Sequence, residues 1–247
     1  DSSSASHTDS DADASSSLSI THIKLSGGAN STVASSSSYN SNGTSITGTY
    51  GTLTIGADGS YTYAATTDAT NALDSGESAS DTFVYTLSDG TAITTANLTI
   101  TVLGSNDAPV AQNDVGVIAE DSTLTVSDGA DANETGGSYN ATGEHSGDVI
   151  DSSNTSTRDT DVDVETLTVT AIRLGSSEGS GTAGTVGSAL TGTYGQLTLN
   201  SNGSYSYVAN QTAADALDAG DSVTDSFNYT VSDGTATDTA VITITVL

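Results

Sequence analysis

The sequence contains one stretch of 61 residues twice. Residues 43–103 align with residues 187–247 without a gap, and 35 of the 61 positions are identical. Upstream of each copy, acidic residues recur at alternate positions before a short apolar run. The resulting period of roughly 145 to 150 residues is too long for one unit of a solenoid and is typical of tandem domains. We therefore predict two domains, residues 1–103 and residues 104–247.

The two copies differ at their beginnings. Residues 104–150 have no counterpart in the first copy, so the second domain has an opening segment that the first lacks. Because the sequence starts with Asp and shows no signal peptide, we expect it to be a processed product or a portion of a longer protein.

Short alternating runs of apolar residues predict β-strands. In the second copy these runs are 115–118, 123–126, 167–174, 195–199, 204–208, 227–231 and 240–246. Asn202-Gly203 and Asp233-Gly234 are typical of hairpin turns, and only 212–217, with its counterpart 68–73, indicates a helical turn. About seven short strands per copy predict an all-β fold of two tandem immunoglobulin-like β-sandwich domains.

The charge of the chain excludes several functions. It has 31 acidic residues against three basic ones, which gives a formal charge of -28. Binding to nucleic acid or to an anionic membrane is disfavoured, because both need clustered cations. Without Cys there is no zinc-thiolate site. Membrane insertion is not expected either, since no apolar run approaches the roughly 18 residues that span a bilayer.

The sequence shows no catalytic constellation. His7, His22 and His145 are scattered, and no Ser-His-Asp arrangement is repeated in the two copies. A glycosidase with paired carboxylates would need a cleft with aromatic platforms, but the chain has two Phe and no Trp. We therefore predict that this chain is not an enzyme.

Alternating aspartates form the sharpest local motif. In the second copy they are Asp159, Asp161 and Asp163. In the first copy they are Asp9, Asp11 and Asp13. Alternate carboxylates in a turn can converge on Ca²⁺, which takes six to eight oxygen ligands, whereas Mg²⁺ prefers to keep its waters. The alternative is an acidic surface loop.

Acids and amides also concentrate where the first copy ends and the second begins. The only proline of the chain, Pro109, stiffens this junction. Its candidate ligands are Asn106, Asp107, Asn113, Asp114, Glu120 and Asp121. A cation bound here would fix the angle between the two domains, and the alternative is a flexible polar linker.

Three segments together resemble bacterial VCBS-type and cadherin-like repeats. They are Asn106-Asp107-Ala108-Pro109-Val110, Asp159-Thr160-Asp161-Val162-Asp163 and residues 227–234. The resemblance covers essentially the whole chain. It implies cadherin-like β-sandwich modules that bind calcium, arrayed in large secreted adhesins of the RTX type.

The resemblance also implies a ligand set. Asn106 and Asp107 match the junction motif, Glu120 is similar to an early Glu ligand, and Asp159 and Asp161 match an Asp-x-Asp pair. Two further segments loosely resemble the Leu-Asp-Arg-Glu ligand segment, although the Arg is absent and the acid is displaced by one position. They contribute Asp74, Glu77, Asp218 and Asp221. The first copy has no match for Glu120, so its site is incomplete unless a neighbour completes it.

The sequence thus favours an extracellular, calcium-stabilised spacer repeat of a bacterial surface adhesin. Its expected partners are neighbouring repeats of the same or identical chains. One alternative is a self-assembling extracellular filament or matrix subunit, of use in a biofilm, whose chains exchange strands. Another is a calcium-dependent adhesin domain that binds glycans on other cells.

Overall fold

Short strands dominate the structure, as the alternating apolar pattern predicts. The structure is a computed structural model that describes residues 9–12, 17–127, 147–150, 158–163 and 165–247. The chain divides into two compact units, residues 1–105 and 106–247. Among the described residues there is a single helix, α1 (Asp68–Asn71), and the matching residues 212–216 form turns instead. The predicted all-β fold of β-sandwich type is confirmed.

The first unit contains two antiparallel sheets. One has the order β2-β1-β6-β7 and the other the order β3-β4-β5. The strands of the first sheet are β1 (Ser19–Leu25), β2 (Ser31–Thr32), β6 (Ser78–Ser88) and β7 (Ile93–Leu103). Those of the second are β3 (Thr44–Thr47), β4 (Thr52–Ile55) and β5 (Tyr61–Ala64). Ile23, Leu53, Ile55 and Phe83 are fully buried in its core.

The second unit also contains two sheets, each with four strands. Their orders are β10-β14-β15-β8 and β11-β12-β13-β9. The first sheet consists of β8 (Asp114–Ile118), β10 (Thr168–Leu174), β14 (Val223–Ser232) and β15 (Thr237–Val246). The second consists of β9 (Thr123–Val126), β11 (Leu190–Thr191), β12 (Gln196–Leu199) and β13 (Tyr205–Val208). β14 and β15 are longer than their apolar runs, because polar residues continue the hairpin to its turn.

The opening segment adds one strand to each sheet of the second unit. β8 pairs in parallel with β15, and β9 pairs antiparallel with β13. In the first unit the counterparts of β15 and β13 are β7 and β5, and no described strand pairs with their outer edges. Tyr205 is consequently 1% exposed, whereas its counterpart Tyr61 is 39% exposed. The first unit therefore exposes a face that the second unit buries.

The repeated Thr-Gly-Thr-Tyr-Gly motif surrounds a buried aspartate. Asp225 is 3% exposed, and its carboxylate accepts hydrogen bonds from the backbone N–H groups of Thr193 at 2.8 Å, Tyr194 at 2.9 Å and Gly195 at 3.0 Å. The Tyr207 hydroxyl donates a fourth at 2.7 Å. A buried carboxylate with this many donors is satisfied without a cation.

The first unit repeats this arrangement around Asp81. The carboxylate accepts hydrogen bonds from Thr49 N–H at 2.8 Å, Tyr50 N–H at 3.1 Å and the Tyr63 hydroxyl at 2.7 Å. Burial would raise the pKa of Asp81, but these hydrogen bonds outweigh it and hold the pKa below its ordinary value. The first glycine of the motif is required by space, since a Cβ at Gly48 would lie 2.1 Å from Asp81 Oδ2.

The predicted Asp-Gly hairpin turn between β14 and β15 also forms. The Asp233 carboxylate accepts hydrogen bonds from the N–H groups of Thr235 and Ala236, both at 2.6 Å. Gly234 adopts φ +102°, a conformation in which a Cβ is strained.

Replacing this glycine tests the turn. We expect Gly234→Ala to lower the free energy of unfolding by about 1 to 2 kcal/mol, because alanine must adopt a positive φ. Urea unfolding followed by circular dichroism measures the change. Thr235→Ala is the control and should stay within about 0.5 kcal/mol. Equal midpoints for Gly234→Ala and the parent chain would show that the turn relaxes without strain.

Candidate metal centre

Three carboxylates converge at one end of the second unit. Asp161 and Glu165 come from the segment before β10, and Asp233 comes from the turn between β14 and β15. One oxygen of each lies within 4.8 Å of the others, and all three residues are half-buried. Like charges at this spacing disfavour one another unless a cation or protons neutralise them. We call these three residues the acidic cluster.

Oxygen atoms beside the acidic cluster lack hydrogen-bond donors. The Asn106 amide nitrogen donates to Asp233 Oδ2 at 3.0 Å, while Asn106 Oδ1 is buried and has no donor among the described residues. The same holds for Asp161 Oδ2 and Asp163 Oδ1. An oxygen of Asp163 lies within 4.8 Å of one of Glu165. Since buried oxygens normally accept hydrogen bonds, this set has the character of an oxygen-ligand site for a hard cation.

Backbone hydrogen bonds hold the contributing segments together. Asp107 N–H donates to Asp163 Oδ2 at 2.8 Å, and Asp163 N–H donates to Asp161 Oδ1 at 2.8 Å. Val110 and Thr160 form an antiparallel bridge. The residues that follow the junction therefore lie beside the alternating aspartates, as an ion shared by the two segments requires.

Asp159 belongs to a second, more deeply buried group. It is 4% exposed and accepts a hydrogen bond from Gln112 N–H at 2.7 Å. The Tyr229 hydroxyl lies 3.2 Å from Asp159 Oδ2 and 3.0 Å from Asp114 Oδ2. Burial raises the pKa of Asp159 to about 7, although the hydrogen bonds oppose this, and the charge of Asp238 raises it further. Burial likewise raises the pKa of Tyr229.

The structure places three other predicted ligands of the second unit apart from the acidic cluster. Asn113 Oδ1 accepts a hydrogen bond from Val241 N–H at 2.8 Å and so binds the edge of β15. Glu120 and Asp121 follow β8, where Glu120 N–H donates to the carbonyl of Leu247 at 3.0 Å. Leu247 follows the end of β15 that is opposite the turn of Asp233, and β15 has 10 residues. At about 3.3 Å per residue the separation is roughly 30 Å.

The Leu-Asp segments form turns in which Glu77, Asp218 and Asp221 are exposed and Asp74 is half-buried. Asp218 N–H donates to Asp221 Oδ2 at 3.0 Å. In the first unit, Asp74 N–H donates to Glu77 Oε2 at 3.3 Å. In each pair, therefore, one carboxylate closes its own turn.

The first unit reproduces part of the site. Asp9 accepts a hydrogen bond from the Tyr85 hydroxyl at 2.8 Å, as its counterpart Asp159 does from Tyr229. The side chain of Asp11 contacts Asp89, which is the counterpart of Asp233. Among its described residues, the first unit has no group of three such side chains.

Two further positions of the first unit bear on this comparison of the two copies. Asp13 lies outside the described residues. Ser15 occupies the sequence position that Glu165 has in the second copy.

The sequence prediction omits two members of the acidic cluster. Glu165 continues the alternate spacing of Asp159, Asp161 and Asp163, and that spacing could have identified it. Asp233 is predicted only as a turn residue. Its turn role is real, but one carboxylate can serve both functions because its two oxygens have different neighbours.

Comparisons with known proteins place the second unit in a family. The family model described as a bacterial cadherin-like domain matches residues 106–247, more than half of the chain. A comparison with curated protein sequences gives no match. The described residues include no helix long and apolar enough to cross a membrane.

Solved structures show only distant likeness. Extracellular cadherin domains 3–6 of protocadherin gamma B2 are 14% identical, with 85% of this chain and 42% of that one covered and a TM-score of 0.36. An endo-fucoidan hydrolase of glycoside hydrolase family 107 is 17% identical, with 83% and 23% covered and a TM-score of 0.27. This chain thus spans less than half of either protein, and at these scores neither supports an argument about function. The match to the family model shows that the chain belongs to the family of bacterial cadherin-like domains.

Proposed function

We propose that this chain is a pair of extracellular spacer repeats from a bacterial surface adhesin, and that calcium stabilises its second unit. The observation that carries the proposal is the acidic cluster together with the donor-free oxygens of Asn106, Asp161 and Asp163. Membership of the bacterial cadherin-like domain family supports the extracellular, structural role.

Calcium is the cation that best suits these ligands. All of them are carboxylate or amide oxygens, and the chain has no Cys to favour a softer metal. Several protein oxygens crowd one site, whereas Mg²⁺ prefers one or two carboxylates and retains its waters. The half-buried position limits screening of the ion by solvent and salt.

A bound ion would cross-link segments that are distant in sequence. Asn106 begins the second unit, Asp161 and Glu165 precede β10, and Asp233 joins β14 to β15. Holding them together stabilises the end of the sandwich and neutralises part of the mutual repulsion. The repetition along the chain suits a spacer whose partners are neighbouring repeats, since each copy adds length.

Calcium binding is tested by removing two ligands. We expect Asp161→Asn combined with Glu165→Gln to abolish the calcium-dependent rise in stability, because both changes keep the size of the side chain and remove its charge. In the parent chain, calcium at 100 times its dissociation constant should add about 2.7 kcal/mol. Urea unfolding with calcium and with EGTA, together with titration calorimetry, measures both effects.

The matched control changes acids outside the cluster. Asp218→Asn with Asp221→Asn removes the same charge from an exposed turn and should leave calcium binding intact. A parent chain with the same unfolding midpoint in calcium and in EGTA would refute calcium stabilisation. Equal loss of binding in both double variants would show only non-specific attraction to negative charge.

A further inference from the structure

We propose that Asn42 is a site of spontaneous deamidation, and that the fold protects the same chemical group at Asn202. The tripeptide Ser-Asn-Gly occurs twice in the sequence, at residues 41–43 and 201–203, and these contain its two Asn-Gly pairs. A hydroxyl residue follows each tripeptide, Thr44 in one case and Ser204 in the other. Because the neighbours match, the two asparagines should have nearly equal reactivity in an unfolded chain. A difference between them in the folded chain must come from the structure.

The reaction needs only the Asn-Gly pair and water. The backbone nitrogen of the glycine attacks Cγ of the asparagine, and the new C–N bond closes a cyclic imide. The bond from Cγ to Nδ2 breaks, and ammonia leaves with the proton that the glycine nitrogen gives up. Water then hydrolyses one of the two C–N bonds of the imide, which gives aspartate or isoaspartate, and the new acid releases its proton to solvent. Glycine favours the attack because it has no Cβ to obstruct ring closure.

The pair at Asn42 is accessible to this reaction. Asn42 is exposed, and no described residue forms a hydrogen bond with its carboxamide. Within the same part of the chain, no group accepts a hydrogen bond from Gly43 N–H. The turn just before the pair is closed by two hydrogen bonds between the backbones of Ser38 and Ser41, at 3.0 and 3.1 Å, which leave residues 42 and 43 outside it. The attacking nitrogen and the attacked carbon are therefore both unrestrained by hydrogen bonds.

The pair at Asn202 is held on both sides of the bond that would react. Gly203 N–H donates to the carbonyl of Asn200 at 3.2 Å, inside the hairpin turn between β12 and β13. The hydroxyl of Ser204 donates to Asn202 Oδ1 at 2.8 Å. Gly203 is also buried, and its carbonyl accepts a hydrogen bond from Val149 N–H at 3.2 Å. Ring closure here requires that the first two hydrogen bonds break, which raises its barrier.

The glycine of the reactive pair is required by the fold. A Cβ at Gly43 would lie 2.9 Å from the carbonyl oxygen of Ser38 and 2.9 Å from Thr54 Cγ2. The same lack of space bears on the product, because isoaspartate adds one carbon atom to the backbone immediately before β3. We therefore expect the modified chain to lose its pairing between Thr44 and Ile55, the first pair of β3 with β4.

Ageing of the full 247-residue chain tests the proposal. The chain is incubated in mildly alkaline buffer at physiological temperature, and mass spectrometry of its peptides measures the loss of each asparagine. We expect deamidation at Asn42 to be about tenfold faster than at Asn202, or more, with isoaspartate among the products. In concentrated urea, which removes the fold, the two rates should become nearly equal. Similar rates at both asparagines in the folded chain would overturn the proposal, as would a faster reaction at Asn202.

Two variants sharpen the test. Asn42→Gln should remove the modification from its peptide, whereas a modification that persists would assign the reaction to Asn40 and overturn the choice of site. Ser204→Ala removes the hydrogen bond to Asn202 Oδ1 and should speed deamidation at Asn202 several-fold, with no change at Asn42. An unchanged rate at Asn202 in this variant would contradict protection by the Ser204 hydroxyl.

Discussion

Asp225→Ala should lower the free energy of unfolding of the second unit by about 3 to 5 kcal/mol. The change removes the acceptor for three backbone N–H groups and the Tyr207 hydroxyl, and the donors of Gly195 and Tyr207 are buried. Each unsatisfied buried donor costs about 1 to 3 kcal/mol, and water entering the vacated space offsets part of the sum. A loss of this size is a large fraction of the stability of a typical domain.

Hydrogen exchange detected by mass spectrometry can assign the loss to one unit. Protection should fall in β12, β13 and β14, while the first unit keeps its exchange rates. Asp81→Ala is the matched variant and should produce the same loss in the first unit. Asp215→Ala, at an exposed position, is the neutral control. If Asp225→Ala and Asp81→Ala each lower the free energy of unfolding by less than about 1 kcal/mol, these carboxylates are dispensable for stability.

The calcium-free second unit should become less stable as the pH rises from 4 to 8. Burial raises the pKa of Asp159 to about 7 in the folded chain, whereas an unfolded Asp titrates near about 3.9. Between these values the folded state holds a proton that the unfolded state has released. Its contribution is therefore fully present below about pH 4 and is lost as the pH rises through 7. The loss amounts to at most about 4 kcal/mol.

Urea unfolding in EGTA at a series of pH values measures this dependence. Asp159→Asn cannot ionise, so its profile should be flatter than that of the parent chain by the same amount. Asp215→Asn is the control, since this acid is exposed and should leave the profile unchanged. A parent profile with the same slope as that of Asp159→Asn would show that Asp159 is ionised in the folded chain at pH 4 and above.

Local pattern was enough to predict most of the strands and the hairpin turns. Alternation of apolar residues depends on neighbours two positions apart, so it marks 123–126 as β9 without any knowledge of the sandwich. Asp233-Gly234 marks its hairpin turn because only glycine readily adopts the positive φ found there. The two-residue strand β11 is not predicted, since two residues contain no period.

The composition of the candidate site depended on long-range proximity. Asp161 and Asp163 follow from their spacing, but Asp233 lies some seventy positions later and reaches them through the order of the sheets. Glu120, implied by the family resemblance, lies near the other end of the same sheet. Sequence spacing measures distance along the chain, whereas ligand sets depend on which strand ends meet.

The charge of -28 shows which properties follow from the sequence and which need the tertiary structure. The sequence by itself determined the all-β fold, the repeat and the excess of acid, because these are properties of composition and short-range period. Only the tertiary structure separated the acids into kinds. Asp225 is satisfied by backbone donors, Asp159 is buried beside a tyrosine, and Asp161 lies in a cluster with donor-free oxygens. The physical reason is that the behaviour of a carboxylate depends on its burial and its partners, and both arise only when distant segments pack together.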